Sequence, residues 1–258
     1  MTIQTCFLFD IPVDLNVAGF VFSGTVCSYN FHWFLTPPHE EDVSEKITWN
    51  LSNKNLHLIL FLSGLIGGIV FSILLIEHWF WLGTTALFTF LYSAPKVPFP
   101  AFGILKKIAI GKTIFLAFAW THVTTLLPLL IAKNVLTDGE IWFFVKRFFF
   151  IYAICILFDY RDQEEDRKAG IRSMITYLDE KGIDILFWGS ILVVLISSFL
   201  LSYVFTTAML LALLLPVLIL GLLYYPSKRN FSDYLYYFIL DGLMMLSAPL
   251  LLLIKFAR

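Results

Sequence analysis

Residues 140–166 read EIWFFVKRFFFIYAICILFDYRDQEED, an apolar run that ends in a dense cluster of charged side chains. A helix needs about 20 mostly apolar residues to cross the roughly 30 Å of hydrocarbon in a bilayer. Residues 140–160 have that length, and they lead directly into the acidic stretch that begins at Asp159. This segment therefore predicts a membrane-spanning helix with an acidic motif at one end.

The composition of the 258-residue chain agrees with a membrane protein. Hydrophobic residues make up 59% of it, charged residues only 14%, and the mean hydropathy is +0.82, whereas a soluble domain carries about 25% charged residues. The net charge of −1 gives no basic surface for nucleic acid. Cys6, Cys27 and Cys155 lack paired or metal-ligand spacing, which favours buried, reduced thiols.

Other apolar stretches of similar length lie on both sides of residues 140–160. They are found near residues 12–35, 56–76, 78–95, 110–132, 183–204, 205–225 and 234–255. Met1–Asp10 is apolar but too short to cross, and we interpret it as the end of a first helix. The pattern predicts one all-α domain over residues 1–258. This domain is a polytopic membrane helical bundle of eight full transmembrane helices plus an N-terminal partial helix, nine in all.

The loops between these spans alternate between charged and short. The charged loops, residues 39–54, 96–112, 161–181 and 228–233, hold most of the 18 Lys and Arg residues. The remainder are Lys133, Lys146, Arg147, Lys255 and Arg258. By the positive-inside rule we expect the charged loops to face the cytoplasm. The protein is predicted to be a multi-pass integral membrane protein, and a bacterial inner membrane is the expected location.

The acidic stretch Asp159-Tyr-Arg-Asp162-Gln-Glu-Glu-Asp166 carries the clearest chemical signal. On a continuing helix Asp162 and Asp166 share one face, and Asp159 lies one turn earlier. Crowded carboxylates attract a hard divalent cation, and Mg²⁺ is typically held by one or two carboxylates plus waters and phosphates. Nearby cations able to meet a polyanion are Arg161, Arg167, Lys168 and Arg172. A solvated loop with ordinary ion pairs explains the same charge pattern, so both interpretations stay open at this point.

Residues 159–173, DYRDQEEDRKAGIRS, resemble the second aspartate-rich motif of the UbiA superfamily of intramembrane prenyltransferases. In that family the motif lies at the cytoplasmic end of helix six. The segment Leu91-Tyr92-Ser-Ala-Pro-Lys96 is similar to the family's Tyr-x-x-x-Lys element, which helps to hold a diphosphate. The order of nine helices fits the family as well, so the resemblance spans essentially the whole chain.

The resemblance implies a Mg²⁺-dependent enzyme that moves an isoprenyl group from an isoprenyl diphosphate to a lipophilic acceptor. It implies that Asp159, Asp162 and Asp166 are catalytic and ligate the Mg²⁺. The substrate-binding residues that it implies are Asn30, Tyr92, Lys96, Arg161, Lys168 and Arg172. Metal and cations would stabilise charge on the leaving diphosphate, and the apolar interior would shield the carbocation from water.

The first motif of the family, Asn-x-x-x-Asp-x-x-x-Asp, is degenerate in this chain. Asn30 occupies the Asn position, but Phe34 and Pro38 stand where the family has aspartates. Neither side chain can ligate a metal. The following acids at residues 40–42 are either substitutes for the missing carboxylates or members of a solvated loop.

Three functions follow from these observations. The first is prenyl transfer as the family performs it. The second is a catalytically weakened or inactive relative that binds an isoprenoid lipid, because half of the carboxylates are missing. The third is a small-solute transporter, for which Asp241 is the main intramembrane charge and no inverted repeat is visible.

Overall fold

The computed structural model describes residues 1–35, 49, 52–93, 112–133, 135–168 and 173–256, and within these ranges the regular elements are all helices. They are α1 (Thr2–Leu8), α2 (Leu15–Leu35), α3 (Lys54–Leu74), α4 (Trp79–Ser93), α5 (Thr113–Ala132), α6 (Asp138–Arg161), α7 (Gln163–Lys168), α8 (Met174–Tyr177), α9 (Glu180–Tyr203), α10 (Thr207–Arg229) and α11 (Tyr234–Phe256).

The helices coincide with the apolar stretches that the sequence marks as spans. Within the described ranges, α3, α5, α6, α9, α10 and α11 are the 6 helices long and apolar enough to cross a membrane. Helices α2 and α4 occupy the other two predicted spans, and α1 forms the predicted N-terminal partial helix. The all-α membrane bundle is confirmed. The number of complete spans remains a prediction.

Helix α6 forms the centre of the bundle. It packs against α5, α9 and α10, and an unbroken run of its residues, 150–157, is buried. An apolar run of this kind occurs in protein cores and in membrane spans alike, and here its burial shows that it lies in the interior of the bundle. Its start is fixed by a capping box, in which Thr137 and Glu140 satisfy each other's backbone N–H groups. Its other end reaches the acidic motif.

Helices α2 and α3 form a close pair at one side. Gly64 of α3 lies directly against the backbone of α2 at Ser23 and Cys27. Small residues at helix–helix contacts let backbones approach closely in membranes. The same pair is joined by a buried hydrogen bond of 2.8 Å between Asn30 Oδ1 and His57 Nδ1.

Two spans contain π-helical segments. Residues His122–Leu126 interrupt α5 just before Pro128, and residues Tyr234–Leu240 open α11. Because proline lacks a backbone N–H, Pro128 removes one backbone hydrogen bond from α5 next to the π-helical segment. π-Helical turns are rare and frequently occur at functional sites. The second of them lies beside the acidic motif.

Candidate functional site

The candidate site is built around the end of α6, and Asp159 is its innermost carboxylate. Asp159 lies in the last turn of α6 and is only 6% exposed. The hydroxyl of Thr113, at the start of α5, donates a hydrogen bond to its Oδ2 atom. Asp159 is therefore held by a neighbouring helix at the boundary between the bundle and the charged loop.

Asp162 lies at the junction of α6 and α7. Its backbone N–H donates to the carbonyl of Phe158 at 3.0 Å, and its own carbonyl accepts from Asp166 at 2.9 Å. Helical hydrogen bonds thus continue across the junction, so Asp159, Asp162 and Asp166 follow one another on successive turns. The side chain of Asp162 is 36% exposed, whereas Asp166 is buried at 6%.

The short helices α7 and α8 pack together and cover the motif. Gln163 donates from Nε2 to the carbonyl of Ile175 at 3.2 Å, and Arg167 donates to the carbonyl of Thr176 at 3.4 Å. These contacts fold the chain after α6 back on itself, and they place Asp166 on the covered side. Asp162 is left as the most accessible of the three aspartates.

Arg161 links the motif to α11. Its Nε donates to Asp162 Oδ1 at 2.7 Å and its Nη2 donates to the hydroxyl of Tyr237 at 2.7 Å. Asp233 lies 3.9 Å from Nη1. The guanidinium also stacks on the rings of Tyr236 and Tyr237, at 4.8 and 4.7 Å from their centroids. The π-helical segment of α11 thus supplies the aromatic surface that fixes Arg161.

An ion-pair cluster lies on another flank of α6. Lys228 contacts Glu180 at 2.6 Å and Asp184 at 2.9 Å. Tyr224 donates to Asp184, and Tyr160 donates to Glu180 at 3.0 Å. Opposite charges and hydroxyls satisfy one another here, so we interpret this cluster as a structural tie between α6, α9 and α10.

Of the other predicted substrate-binding residues, only Asn30 has a side chain that the structure describes. Asn30 is buried in the α2–α3 pair, where its Nδ2 also donates to the carbonyl of Val26 at 2.7 Å. Tyr92 lies in the last turn of α4 and Lys168 ends α7, but their side chains are not among those described. Lys96 and Arg172, together with Pro38 and residues 40–42, lie outside the described residues.

The motif has the donor chemistry for Mg²⁺, although its described side chains do not form a preassembled cluster. Within the ranges that the structure describes, no three His, Cys, Asp or Glu side chains gather closely enough to hold a metal. Carboxylate oxygens are nevertheless the ligands that Mg²⁺ prefers, and it commonly takes one or two of them together with substrate phosphates. The donor set therefore fits Mg²⁺, and the three-aspartate assignment remains a prediction.

The sequence did not identify Thr113 or Tyr237 as parts of this site. Thr113 begins an apolar span, and Tyr237 belongs to the run Tyr234-Leu-Tyr-Tyr at the start of the last one. Aromatic residues at such a position are usually explained as membrane-interface anchors. Only the fold shows that they contact Asp159 and Arg161.

Comparison with known proteins supports the resemblance in the motif. Neither the curated proteins nor the solved structures gave a match. A model of the UbiA prenyltransferase family matches residues 48–237, a range that includes the end of α6 and the Tyr92–Lys96 element, while the degenerate segment around Asn30 precedes it. The chain belongs to the UbiA prenyltransferase family and is a multi-pass integral membrane protein.

Proposed function

We propose that the protein is a Mg²⁺-dependent prenyltransferase that moves an isoprenyl group from an isoprenyl diphosphate to a lipophilic acceptor. The observation that carries the proposal is the set of aspartates at the end of α6, on successive helical turns within the region that matches the family. We propose that this end faces the cytoplasm at a bacterial inner membrane. The loop after α6 is rich in Lys and Arg, and the positive-inside rule predicts that orientation for such a loop.

The aspartates differ in exposure, which suggests different roles. Asp162 is the most accessible of the three, which supports a role in meeting an incoming diphosphate complex. Asp159 and Asp166 are buried behind it, and Thr113 fixes the orientation of Asp159. For all three residues to hold Mg²⁺, their carboxylates would have to draw together, since they do not form a metal-binding group in the described structure. When bound, the ion supplies positive charge that neutralises the diphosphate leaving group.

Most of the remaining site residues would act on substrate rather than on metal. Arg161 would act through Asp162, because one guanidinium spans Asp162 and Tyr237 and keeps that carboxylate in position. Lys96, Lys168 and Arg172 are proposed to neutralise diphosphate oxygens, and Tyr92 to donate a hydrogen bond to one of them. Asn30 is buried and already bonds His57 through Oδ1 and Val26 through Nδ2, so its second amide hydrogen is the donor left for a substrate.

The apolar interior of the bundle would serve the hydrocarbon part of the reaction. Ionisation of an allylic diphosphate leaves a carbocation that water would quench, so the isoprenyl chain must react in a dry environment. A large cluster of buried apolar side chains packs around residues 150–157 of α6. This environment suits both an isoprenoid tail and a lipid-soluble acceptor.

A direct test is the release of diphosphate by the purified protein from a panel of polyprenyl diphosphates, with and without Mg²⁺. We expect Mg²⁺-dependent release by the wild type and its loss in the double variant Asp162→Asn/Asp166→Asn. Glu164→Gln is the matched control, because Glu164 is an exposed acid on the same short helix. Equal release by the wild type and the double variant would contradict the proposal.

A second candidate function is isoprenoid binding without turnover. It is favoured by Phe34, a 36% exposed apolar side chain where the family motif has an aspartate. This function predicts that prenyl diphosphates bind the wild type but are not cleaved, and that Phe34→Asp/Pro38→Asp gains diphosphate release. Turnover by the unmodified protein excludes it.

A further inference from the structure

Two cations lie next to each other inside the bundle, away from the acidic motif. Lys146 and Arg147 of α6 are 4% and 5% exposed. At 1.5 Å per residue they lie about 12 Å from the start of the helix, well inside a bilayer. Among the residues that the structure describes, neither forms an ion pair with a carboxylate. Intramembrane charges are costly, and they commonly mark a functional site.

Arg147 is satisfied by neutral acceptors. Its guanidinium donates to Gln4 Oε1, Thr5 Oγ1, Thr125 Oγ1 and the carbonyl of Thr124, at distances of 2.6–2.9 Å. These bonds join α1 to the π-helical turn of α5. They meet the hydrogen-bonding needs of Arg147 but leave its positive charge without a counterion in the described structure.

Lys146 is much less satisfied than its neighbour. Its ammonium group makes one hydrogen bond, to the carbonyl of Leu213 at 3.2 Å, although it carries three donors. The side chain lines a cavity of about 20 Å³ together with Gln4, Pro216 and Ser247. The remaining ammonium donors therefore lie beside a small cavity inside the bundle.

The polar groups around this cavity favour an anion. Ser247 Oγ accepts from Gln4 Nε2 at 2.8 Å, so the hydroxyl hydrogen of Ser247 stays available for donation. The carbonyl oxygens of Gln4 and Leu213 already accept from Arg147 and Lys146. The cavity thus offers positive charge and hydrogen-bond donors, which is the combination that an anion needs.

The size of the cavity limits the class of ligand. A cavity needs a volume of about 10–15 Å³ to hold a single water molecule. The volume of about 20 Å³ found here therefore suits one water or one small ion. Polyatomic anions such as phosphate and sulfate are larger than this volume. A monoatomic anion comes nearest to it and can accept from the available donors.

We propose that the cavity beside Lys146 binds a single halide, chloride in the cell, which compensates the buried charge of Lys146 and Arg147. The ion would link α6 to α11 through Ser247, and it would stabilise the folded bundle without taking part in prenyl transfer. A buried charge that is left uncompensated is strongly unfavourable, which is the physical reason for the site.

The test is thermal unfolding of the full chain in detergent, in sodium chloride against sodium gluconate at constant ionic strength. Because a ligand of the folded state stabilises it by mass action, we expect the Tm to rise by about 3–5 °C for each tenfold increase in chloride above the dissociation constant. Bromide should act like chloride, and its anomalous scattering should place it between Lys146 Nζ and Ser247 Oγ. An identical Tm in chloride and gluconate would overturn the proposal.

Variants separate this site from general salt effects. Lys146→Met keeps the length of the side chain but removes the charge, and it should abolish the chloride dependence. Lys181→Met is the matched control, since Lys181 is exposed at the start of α9, and it should respond as the wild type does. If Lys146→Met does not fold, Ser247→Ala decides: a weaker chloride response supports the site and an unchanged response contradicts it.

Discussion

Arg161, the last residue of α6, donates a hydrogen bond of 2.7 Å from Nη2 to the phenolic oxygen of Tyr237 in α11. The same guanidinium donates from Nε to Asp162 at 2.7 Å. The rigid, planar guanidinium of Arg161 therefore connects Asp162, the most accessible aspartate of the motif, to the last helix. The position of Asp162 depends on a helix that lies far away in sequence.

We predict that Tyr237→Phe weakens the site without dismantling it. The substitution removes one hydrogen bond, worth about 1 kcal/mol, but keeps the aromatic ring beneath the guanidinium. We expect a comparable loss of stability and, because about 1.4 kcal/mol corresponds to a factor of ten, roughly a fivefold lower rate of diphosphate release. The measurement is release as a function of Mg²⁺ concentration, because a positioning role for Arg161 should also lower the apparent affinity for Mg²⁺.

The control for this prediction is Tyr234→Phe. Tyr234 lies in the same π-helical segment but is 64% exposed, so loss of its hydroxyl should change neither stability nor release. If Tyr237→Phe behaved like this control, Arg161 would not depend on Tyr237 for its position.

We predict that Thr113→Val lowers both stability and activity. Valine has nearly the shape of threonine but cannot donate to the buried carboxylate of Asp159. Hydrogen bonds to charged groups contribute about 1.5–3 kcal/mol, so a loss in that range is expected in thermal or denaturant unfolding. Thr113→Ser keeps the hydroxyl and should retain most of the stability. A Thr113→Ser variant as unstable as Thr113→Val would show that packing of the methyl group, and not the hydrogen bond, is important.

The local part of the site could be predicted from the sequence. The spacing of Asp159, Asp162 and Asp166 fixes their order on successive helical turns, because neighbours three and four residues apart share a face. Their partners could not be predicted in this way. Thr113 and Tyr237 are 46 and 76 residues away from Asp159 and Arg161, and such contacts depend on how the helices pack.

The positions of the helices followed from hydropathy, but the surroundings of each helix did not. An apolar stretch looks the same whether it faces lipid or other helices, so α6 could not be identified as the centre of the bundle from its composition alone. For the same reason Lys146 and Arg147 read as two more basic residues outside the charged loops. Their burial beside α1, α5 and α10 is a property of the packing.

We predict that Asn30→Leu destabilises the protein by about 1–3 kcal/mol, because it removes a hydrogen bond from the buried ring of His57. The double variant Asn30→Leu/His57→Leu should regain much of this stability, since replacing both partners of a buried polar pair can be nearly neutral. Unfolding measurements on the two variants test the structural role.

The same pair of variants tests the family role of Asn30. If Asn30 only joins α2 to α3, diphosphate release should recover in the double variant along with stability. If Asn30 contacts substrate, the double variant should stay inactive although it is stable. Recovery of activity would therefore remove Asn30 from the substrate-binding residues.

We predict that Gly64→Ala disrupts the α2–α3 pair. A Cβ atom at this position would lie 2.6 Å from the backbone nitrogen of Cys27 and 2.8 Å from the carbonyl oxygen of Ser23. Backbone atoms cannot turn away as a side chain can, so the two helices must separate, at a cost of about 1–3 kcal/mol.

Gly68→Ala, in the same helix, meets no atom within 4 Å, and alanine is favoured over glycine in a helix by about 1 kcal/mol. Thermal unfolding should therefore show a lower Tm for Gly64→Ala and an equal or higher Tm for Gly68→Ala. Equal behaviour of the two variants would mean that α2 and α3 do not pack through Gly64.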